Sequence, residues 1–169
     1  PALQPTNLVK FLGNGVGDTF DKVILTCPST VAAEIAPQLT TDEQQGLKNI
    51  QYPGIVCGSV LMKCSLATFY LTNIPVEMPF TGVLDISALV DKKEFGRNSL
   101  IYLPKYVASD NELFDKTDED IQRLFLSGLE KMYPHVSRKD VLAFKVSRVR
   151  NVFPLPVLNY SRDLPSMQT

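Results

Sequence analysis

The sequence predicts an α+β fold in which a mixed or mainly antiparallel sheet is flanked by helices. Short β-branched and apolar segments, separated by polar turn residues, fill the middle of the chain. A later stretch instead repeats its apolar residues at helical spacing. The chain has 169 residues, of which 44% are hydrophobic and 21% charged, so it is long enough to bury a core of its own.

The first informative segment, "VKFLGNGVGDTFDKVILT", places glycines between two predicted strands. The strands cover residues 8–11 and 22–26, and the second is apolar enough to be buried on both faces. Gly13, Gly15 and Gly17 follow a G-x-G-x-G spacing, whereas a dinucleotide-binding loop needs G-x-G-x-x-G leading into a helix. The segment therefore predicts a hairpin turn rather than a phosphate-binding loop.

Two short helices are predicted to follow. Ser29 or Thr30 can cap the first helix, which Pro37 would end or kink. Thr40 and Glu43 stand at capping-box spacing at the start of the second helix, in "TTDEQQGLKNI".

Four strands are predicted in the middle of the chain: "GIVCGSVLMKC", "ATFYLTNI", "FTGVLDISALV" and "SLIYLPKYV". The last two are joined by "DKKEFGRN", where Gly96 and Asn98 tolerate turn geometry. Asp85 interrupts the third strand and is a candidate buried carboxylate. Cys57 and Cys64 are seven residues apart in the first strand, so we expect them on opposite faces and not as a metal-binding pair.

A longer helix is predicted after Thr117, which caps an acidic first turn, and it ends at "YPH". Its apolar stripe comprises Ile121, Leu124, Phe125, Leu129 and Met132.

The last predicted strand, "DVLAFKVSRVRNVF", alternates at Leu142, Phe144 and Val146 and then slips at Ser147-Arg148, as a β-bulge would cause. The tail "PLPVLNYSRDLPSM" is predicted to be extended or irregular. The basic residues on this strand are Lys145, Arg148 and Arg150. They could contact an anionic substrate or phosphate, but a solvated strand edge that resists aggregation is the favoured interpretation.

Composition excludes several function classes. A net charge of −1 gives no attraction to nucleic acid, and no apolar run approaches the length of a spanning helix. The three cysteines indicate free thiols in a reducing cytoplasm. His135 is the single histidine and is expected to face solvent, so no metal site is predicted. Cys27 is interpreted as a small buried residue at a strand end, with a reactive thiol as the alternative.

The order of these segments resembles the flavin-dependent amine oxidase superfamily, which includes protoporphyrinogen oxidase and phytoene desaturase types. "FDKVILTCP" is similar to the family segment that leaves the FAD domain, and a helix pair then enters the substrate domain. "GIVCGSVLMKC", "TDEDIQRLFLSGLEKMYP" and "VLAFKVSRVRNVFPLPVLNYS" resemble the strands, helix and return segment of that substrate domain.

The resemblance implies a division into an FAD-domain remnant (residues 1–30), a substrate-binding domain (31–150) and a return segment (151–169). Because the family's G-x-G-x-x-G unit is absent and the chain starts at Pro1, we expect a fragment of a longer parent. FAD is implied in that full-length parent, with none expected on this fragment, which would be inactive alone. The missing FAD domain would dock on this one, and its exposed docking surface could also support a homodimer.

The resemblance also implies site residues. Thr26, Cys27 and Pro28 would lie near the flavin, while Phe153, Pro156 and Tyr160 on the return segment would lie near a small-molecule substrate. The parent would oxidise that substrate by hydride transfer to flavin. The alternative function is a stand-alone α+β binding or interaction module without a cofactor.

Overall fold

The computed structural model describes residues 9–13, 16–20, 22–66 and 69–164. The chain forms two compact units, one built from Pro1–Asn49 with Ser161–Thr169 and the other from Ile50–Tyr160.

The first unit begins with an antiparallel pair of strands, β1 (Val9–Gly13) and β2 (Val16–Phe20). Gly13 is the register partner of Val16, and residues 14 and 15 lie outside the described residues. An antiparallel strand pair in the glycine-containing segment is therefore confirmed, but its second strand is Val16–Phe20 and not residues 22–26. Asn-Gly between two strands is typical of a tight hairpin turn.

The predicted strand at residues 22–26 is wrong. These residues have no regular secondary structure, and the side chain of Ile24 is 88% exposed. A strand buried on both faces needs hydrogen-bonded neighbours. None of the described strands pairs with residues 22–26.

Two short helices follow in the first unit, α1 (Ser29–Ile35) and α2 (Thr41–Lys48). The predicted cap of α1 is wrong, because Pro28 takes the N-cap position and no side chain caps the helix. α1 ends at Ile35, so of the two roles predicted for Pro37 the structure favours the end of the helix over a kink.

The capping box of α2 is confirmed. The N–H of Glu43 donates to Thr40 Oγ1 at 3.3 Å, and the N–H of Thr40 donates to Glu43 Oε2 at 2.8 Å. The Thr40 hydroxyl also donates to Glu43 Oε2 at 2.8 Å. This side-chain bond, followed by the backbone bond from the Thr40 N–H, holds the pKa of Glu43 below its usual value.

The second unit contains a five-stranded antiparallel sheet in the order β4-β5-β6-β3-β7. Its strands are β3 (Gly54–Met62), β4 (Leu71–Asn73), β5 (Gly82–Asp85), β6 (Ser99–Val107) and β7 (Val141–Val149). The predicted α+β class with a mainly antiparallel sheet is thus confirmed.

β4 and β5 are shorter than predicted. β5 stops at Asp85, whose carboxylate Oδ1 accepts a hydrogen bond from the N–H of Ser87 at 3.0 Å. This contact starts a 3-10 turn, Ile86–Ala88, in place of the expected strand. Asp85 is buried, as predicted. Residues 67 and 68, at the start of the strand expected before β5, lie outside the described residues.

Helix α3 (Asp118–Met132) covers one face of the sheet, and Thr117 caps it as predicted. The ring of Phe125 is fully buried and packs edge-to-face on Phe80, with centroids 5.8 Å apart. The predicted stripe needs one correction, because Leu124 is 39% exposed while Leu126 is buried. With Phe125 directed at the sheet, the stripe rotates and carries Leu124 to its solvent edge.

The bulge in β7 lies at the opposite end from the one predicted. Residues 143–149 pair with β3 in continuous register, and the irregularity falls between Leu61 and Met62, opposite Leu142. Leu142 is therefore the extra residue and is 45% exposed, although its alternation predicted burial. β7 ends at Val149, so residues 150–153 are not part of the strand as predicted. Residues 154–159 are irregular, as predicted for the tail, but Tyr160–Asp163 form a short helix, α4, which corrects that prediction.

Candidate functional site

The sheet of the second unit has two chemically different faces. Along β3, Val56, Gly58, Val60 and Met62 are buried on the side that α3 covers. The alternate residues Ile55, Cys57, Ser59 and Leu61 are only half-buried and point the other way. We call this second side, formed by the strand side chains directed away from α3, the open face.

Strand register places a polar row across the middle of the open face. Ser59 lies between Tyr102 of β6 and Lys145 of β7, and Leu84 of β5 continues the row beyond Tyr102. Directly opposed side chains in antiparallel strands have Cβ atoms roughly 5 Å apart. The phenol of Tyr102 and the ammonium group of Lys145 are thus each neighbours of the Ser59 hydroxyl, on opposite sides of it.

Mostly apolar rows lie on both sides of this polar row. Register aligns Leu100 with Leu61 and Ala143, Pro104 with Cys57 and Ser147, and Tyr106 with Ile55 and Val149. The open face therefore offers a broad apolar surface with few polar groups, which is the usual character of a small-molecule binding surface.

The return segment reaches one end of the open face. The N–H of Val152 donates to the carbonyl of Pro53 at 3.0 Å, and the N–H of Leu155 donates to that of Gln51 at 2.8 Å. These bonds hold the segment beside the entry to β3, and the Phe153 ring packs edge-to-face on Tyr106 at 5.8 Å. Phe153 is thus located at the Tyr106 end of the open face.

The other predicted site residues are distributed over both units. Pro156 is exposed and Tyr160 is half-buried, both in the second unit. Thr26, Cys27 and Pro28 belong to the first unit, where Thr26 is exposed and the other two are half-buried. Cys27 follows an irregular segment, so the prediction that it ends a buried strand is wrong.

The basic residues of β7 do not act as one cluster. Arg148 lies on the α3 side, where it donates to Asp118 Oδ1 at 2.5 Å and to the carbonyl of Lys116 at 2.7 Å. Arg150, just past the strand, stacks over the Phe114 ring at 4.5 Å. These contacts hold the loop before α3 against the sheet. The favoured interpretation of these residues as a solvated strand edge is therefore wrong for both arginines.

The thiols on the second unit are unreactive in character. Burial raises the pKa of Cys57, which lies on the open face, so its neutral form dominates near pH 7. Cys64 lies beyond the end of β3, which corrects the prediction that both cysteines share the strand. Burial, followed by the nearby charge of Asp140, raises the pKa of Cys64.

Neither metal chemistry nor a membrane span is supported by the described residues. His135 is exposed, and its ring packs edge-to-face on Tyr133 at 6.1 Å. Within the described ranges, no group of three histidine, cysteine or acidic side chains could hold a metal ion. Nor does the described part of the chain contain a helix with the length and apolarity that crossing a bilayer requires.

Sequence reasoning missed the central row of the open face. The alternation in β3 and β6 could have identified the residues that face away from the core. The alignment of Ser59 with Tyr102 and Lys145 depends on strand order and register, which local patterns do not reveal.

The fold and the open face define the class: an α+β domain whose antiparallel sheet packs one face against α3 and leaves a mostly apolar face on the other side. The sequence profile of the flavin containing amine oxidoreductase family matches residues 5–168, and the chain belongs to that family. A comparison with curated proteins finds no match.

Three solved structures share this fold. A protein from Exiguobacterium sp. 255-15, provisionally assigned as a protoporphyrinogen oxidase, is 12% identical, with a TM-score of 0.74 over 96% of this chain and 36% of its own. Reduced UDP-galactopyranose mutase is 14% identical, with a TM-score of 0.70 over 89% of this chain and 34% of its own. An oxidoreductase from Methanosarcina mazei is 14% identical, with a TM-score of 0.61 over 82% of this chain and 33% of its own. The chain spans about a third of the length of these proteins.

Proposed function

We propose that this chain forms the substrate-binding domain of an FAD-dependent oxidoreductase that transfers hydride from an organic substrate to the flavin. The observation that carries the proposal is the open face, an apolar sheet surface with a polar central row in a chain of the flavin containing amine oxidoreductase family. In this account the open face forms one wall of the cavity in which substrate meets flavin.

The residues of this chain would bind and orient the substrate and exclude water from it. The apolar rows would hold the substrate body, and the hydroxyls of Ser59 and Tyr102 would fix its orientation. Phe153, on the return segment, would close the Tyr106 end of the cavity, with Pro156 and Tyr160 beside it. Bound flavin would supply the hydride acceptor.

The described residues fit one part of FAD and not another. The apolar rows of the open face suit a flat uncharged ring. A pyrophosphate needs a strand, a glycine loop and a helix N-terminus in succession. Here Gly13 ends β1 and Gly17 lies within β2, and no helix begins in the described residues before Ser29. We therefore assign the pyrophosphate to no described residue of this chain, while Thr26, Cys27 and Pro28 remain the residues proposed to lie near the flavin.

Exposed apolar residues support docking of an FAD domain. Val23, Ile24 and Leu25 are exposed in the first unit, and Leu158 is 90% exposed in the second. Apolar side chains exposed together commonly mark interfaces. In the proposed division, residues 1–30 are a remnant of the FAD domain, residues 31–150 are the substrate-binding domain and residues 151–169 are the return segment toward the FAD domain. A surface exposed for docking of that domain could also pair two copies of the isolated chain.

The test is to purify the protein made from the complete reading frame, add FAD and record its visible absorbance before and after reduction. We expect the bands of oxidised flavin, which bleach on reduction, and we expect the 169-residue chain alone to stay colourless. A complete protein that binds no flavin would contradict the proposal and restore the alternative of a cofactor-free binding module, which the family match disfavours.

A further inference from the structure

The charges on the open face are unbalanced. Among the strand side chains that β3 to β7 direct to this face, Lys145 is the single permanent charge and no carboxylate is present. Asp85, the acidic residue within these strands, pairs with Ile101 and lies on the buried α3 side. A positively charged substrate group would find no counter-ion on the strands of this face.

Lys145 differs from the two nearby arginines, Arg148 and Arg150, in that no ion pair or hydrogen bond occupies its charged group within the described residues. Arg148 is engaged by Asp118 and Lys116, and Arg150 by the ring of Phe114. Within the described residues, Lys145 makes no ion pair or side-chain hydrogen bond. Its ammonium group is therefore available to a ligand.

The neighbours of Lys145 favour an anion. Ser59 stands directly opposite Lys145, and Tyr102 stands opposite Ser59 on its other side. A carboxylate placed over this row could accept a charge-assisted hydrogen bond from the lysine and a second bond from a hydroxyl. Lys145 is exposed, so its ammonium group can be reached from solvent by such a carboxylate.

We propose that the row Tyr102–Ser59–Lys145 is a subsite for the carboxylate of an otherwise apolar substrate. The proposal rests on the proposed function, in which the open face contacts substrate. It predicts that the enzyme takes an apolar acid and discriminates against protonated amines. The competing role for Lys145 is that of an edge-strand charge that blocks pairing with other sheets.

The test measures binding of three probes to the 169-residue chain by ligand-observed NMR: naphthaleneacetate, its neutral amide and naphthylethylamine. Naphthaleneacetate should bind more tightly than the amine. Lys145→Gln should weaken the binding of naphthaleneacetate about fivefold and leave the binding of its neutral amide unchanged. Lys145→Arg, which keeps the charge, should still bind naphthaleneacetate. Lys131→Gln, which removes the same charge from the exposed last turn of α3, should change none of the three affinities.

Tyr102→Leu separates failure of the subsite from failure of the proposed function. If Tyr102→Leu weakens every probe but Lys145→Gln acts no differently from Lys131→Gln, the open face binds ligands and the carboxylate subsite is refuted. If no probe binds, or if Tyr102→Leu changes no affinity, the use of the open face is refuted together with the subsite. Circular dichroism of each variant confirms that the comparison is between folded chains.

Discussion

Gly58 offers the most direct test of how α3 packs on the sheet. A Cβ atom added at this position would lie 2.7 Å from Phe144 Cζ and 3.1 Å from Phe125 Cδ2. Carbon atoms pack at roughly 3.5–4.0 Å, so Gly58→Ala must displace both rings by several tenths of an ångström or more. The adjacent Cys57 points to the open face, so the lack of space for a side chain at Gly58 is specific to the α3 side of β3.

Two opposing effects determine the change in stability for Gly58→Ala. Replacing a strand glycine lowers the entropy of the unfolded chain and stabilises by about 0.5–1 kcal/mol. Overpacking a filled core costs about 1–3 kcal/mol. The overpacking term is larger, and we expect a net loss of about 1–2 kcal/mol in the free energy of unfolding.

The assay is urea denaturation followed by far-UV circular dichroism, with Gly82→Ala as the matched control. The closest atom to a Cβ at Gly82 is the carbonyl oxygen of Thr72 at 3.3 Å, and no aromatic ring is within 4 Å. Gly82→Ala should therefore change the free energy of unfolding by no more than about 0.5 kcal/mol. If Gly58→Ala were as stable as the wild type, the rings of Phe144 and Phe125 could not both lie against Gly58 as described.

Three further substitutions test single contacts. Arg148→Ala should lower the free energy of unfolding by about 1–2 kcal/mol, because it removes the hydrogen bonds to Asp118 and to the carbonyl of Lys116. A double-mutant cycle with Asp118→Ala, measured by urea denaturation, should give a positive coupling energy, and purely additive losses would refute the ion pair. Burial raises the pKa of the Cys57 thiol in the folded protein above its value in the unfolded chain. The neutral thiol therefore contributes its full stabilisation below the unfolded-state pKa, and this stabilisation is lost as the pH rises through the folded-state pKa. Raising the pH from 7 to about 10 should therefore destabilise the wild type more than Cys57→Ala, and equal losses in urea midpoints would contradict burial of the thiol. Thr40→Ala should lower the stability of α2 by about 1 kcal/mol, because the N–H of Glu43 loses its acceptor. The amide hydrogen of Glu43 should then exchange faster with solvent, and an unchanged exchange rate would contradict the capping box.

The longer elements could be predicted from the sequence because several local signals agreed. β6 has the predicted ends, and α3 has the predicted cap and acidic first turn. The capping box at Thr40 is another local signal that the structure confirms. Each of these features depends on residues close together in the chain.

The errors arose where a distant partner decides the outcome. Residues 22–26 have strand propensity but no described strand beside them, so the pattern did not produce a strand. Leu142 fits the alternation of β7, yet the pairing of β3 makes it the bulged residue. Local patterns carry no information about either partner.

The candidate site was predicted only in part. The family resemblance drew attention to the return segment, and Phe153 lies at one end of the open face. The row of Tyr102, Ser59 and Lys145 joins residues from three strands that are distant in sequence. It could be recognised only after strand order and register were known.

The central claim is that the open face, and not the α3 side, is turned toward the flavin. In the complete flavin-loaded protein, with its native cysteines replaced by alanine, a fluorescent donor on Ala143→Cys should transfer energy to the flavin more efficiently than a donor on Arg123→Cys. Ala143 is exposed on the open face and Arg123 is exposed on α3, so at least one helix diameter, about 10 Å, separates the two positions across the sheet. Stronger quenching from position 143 is the predicted result, and equal or stronger quenching from position 123 would show that the α3 side is turned toward the flavin.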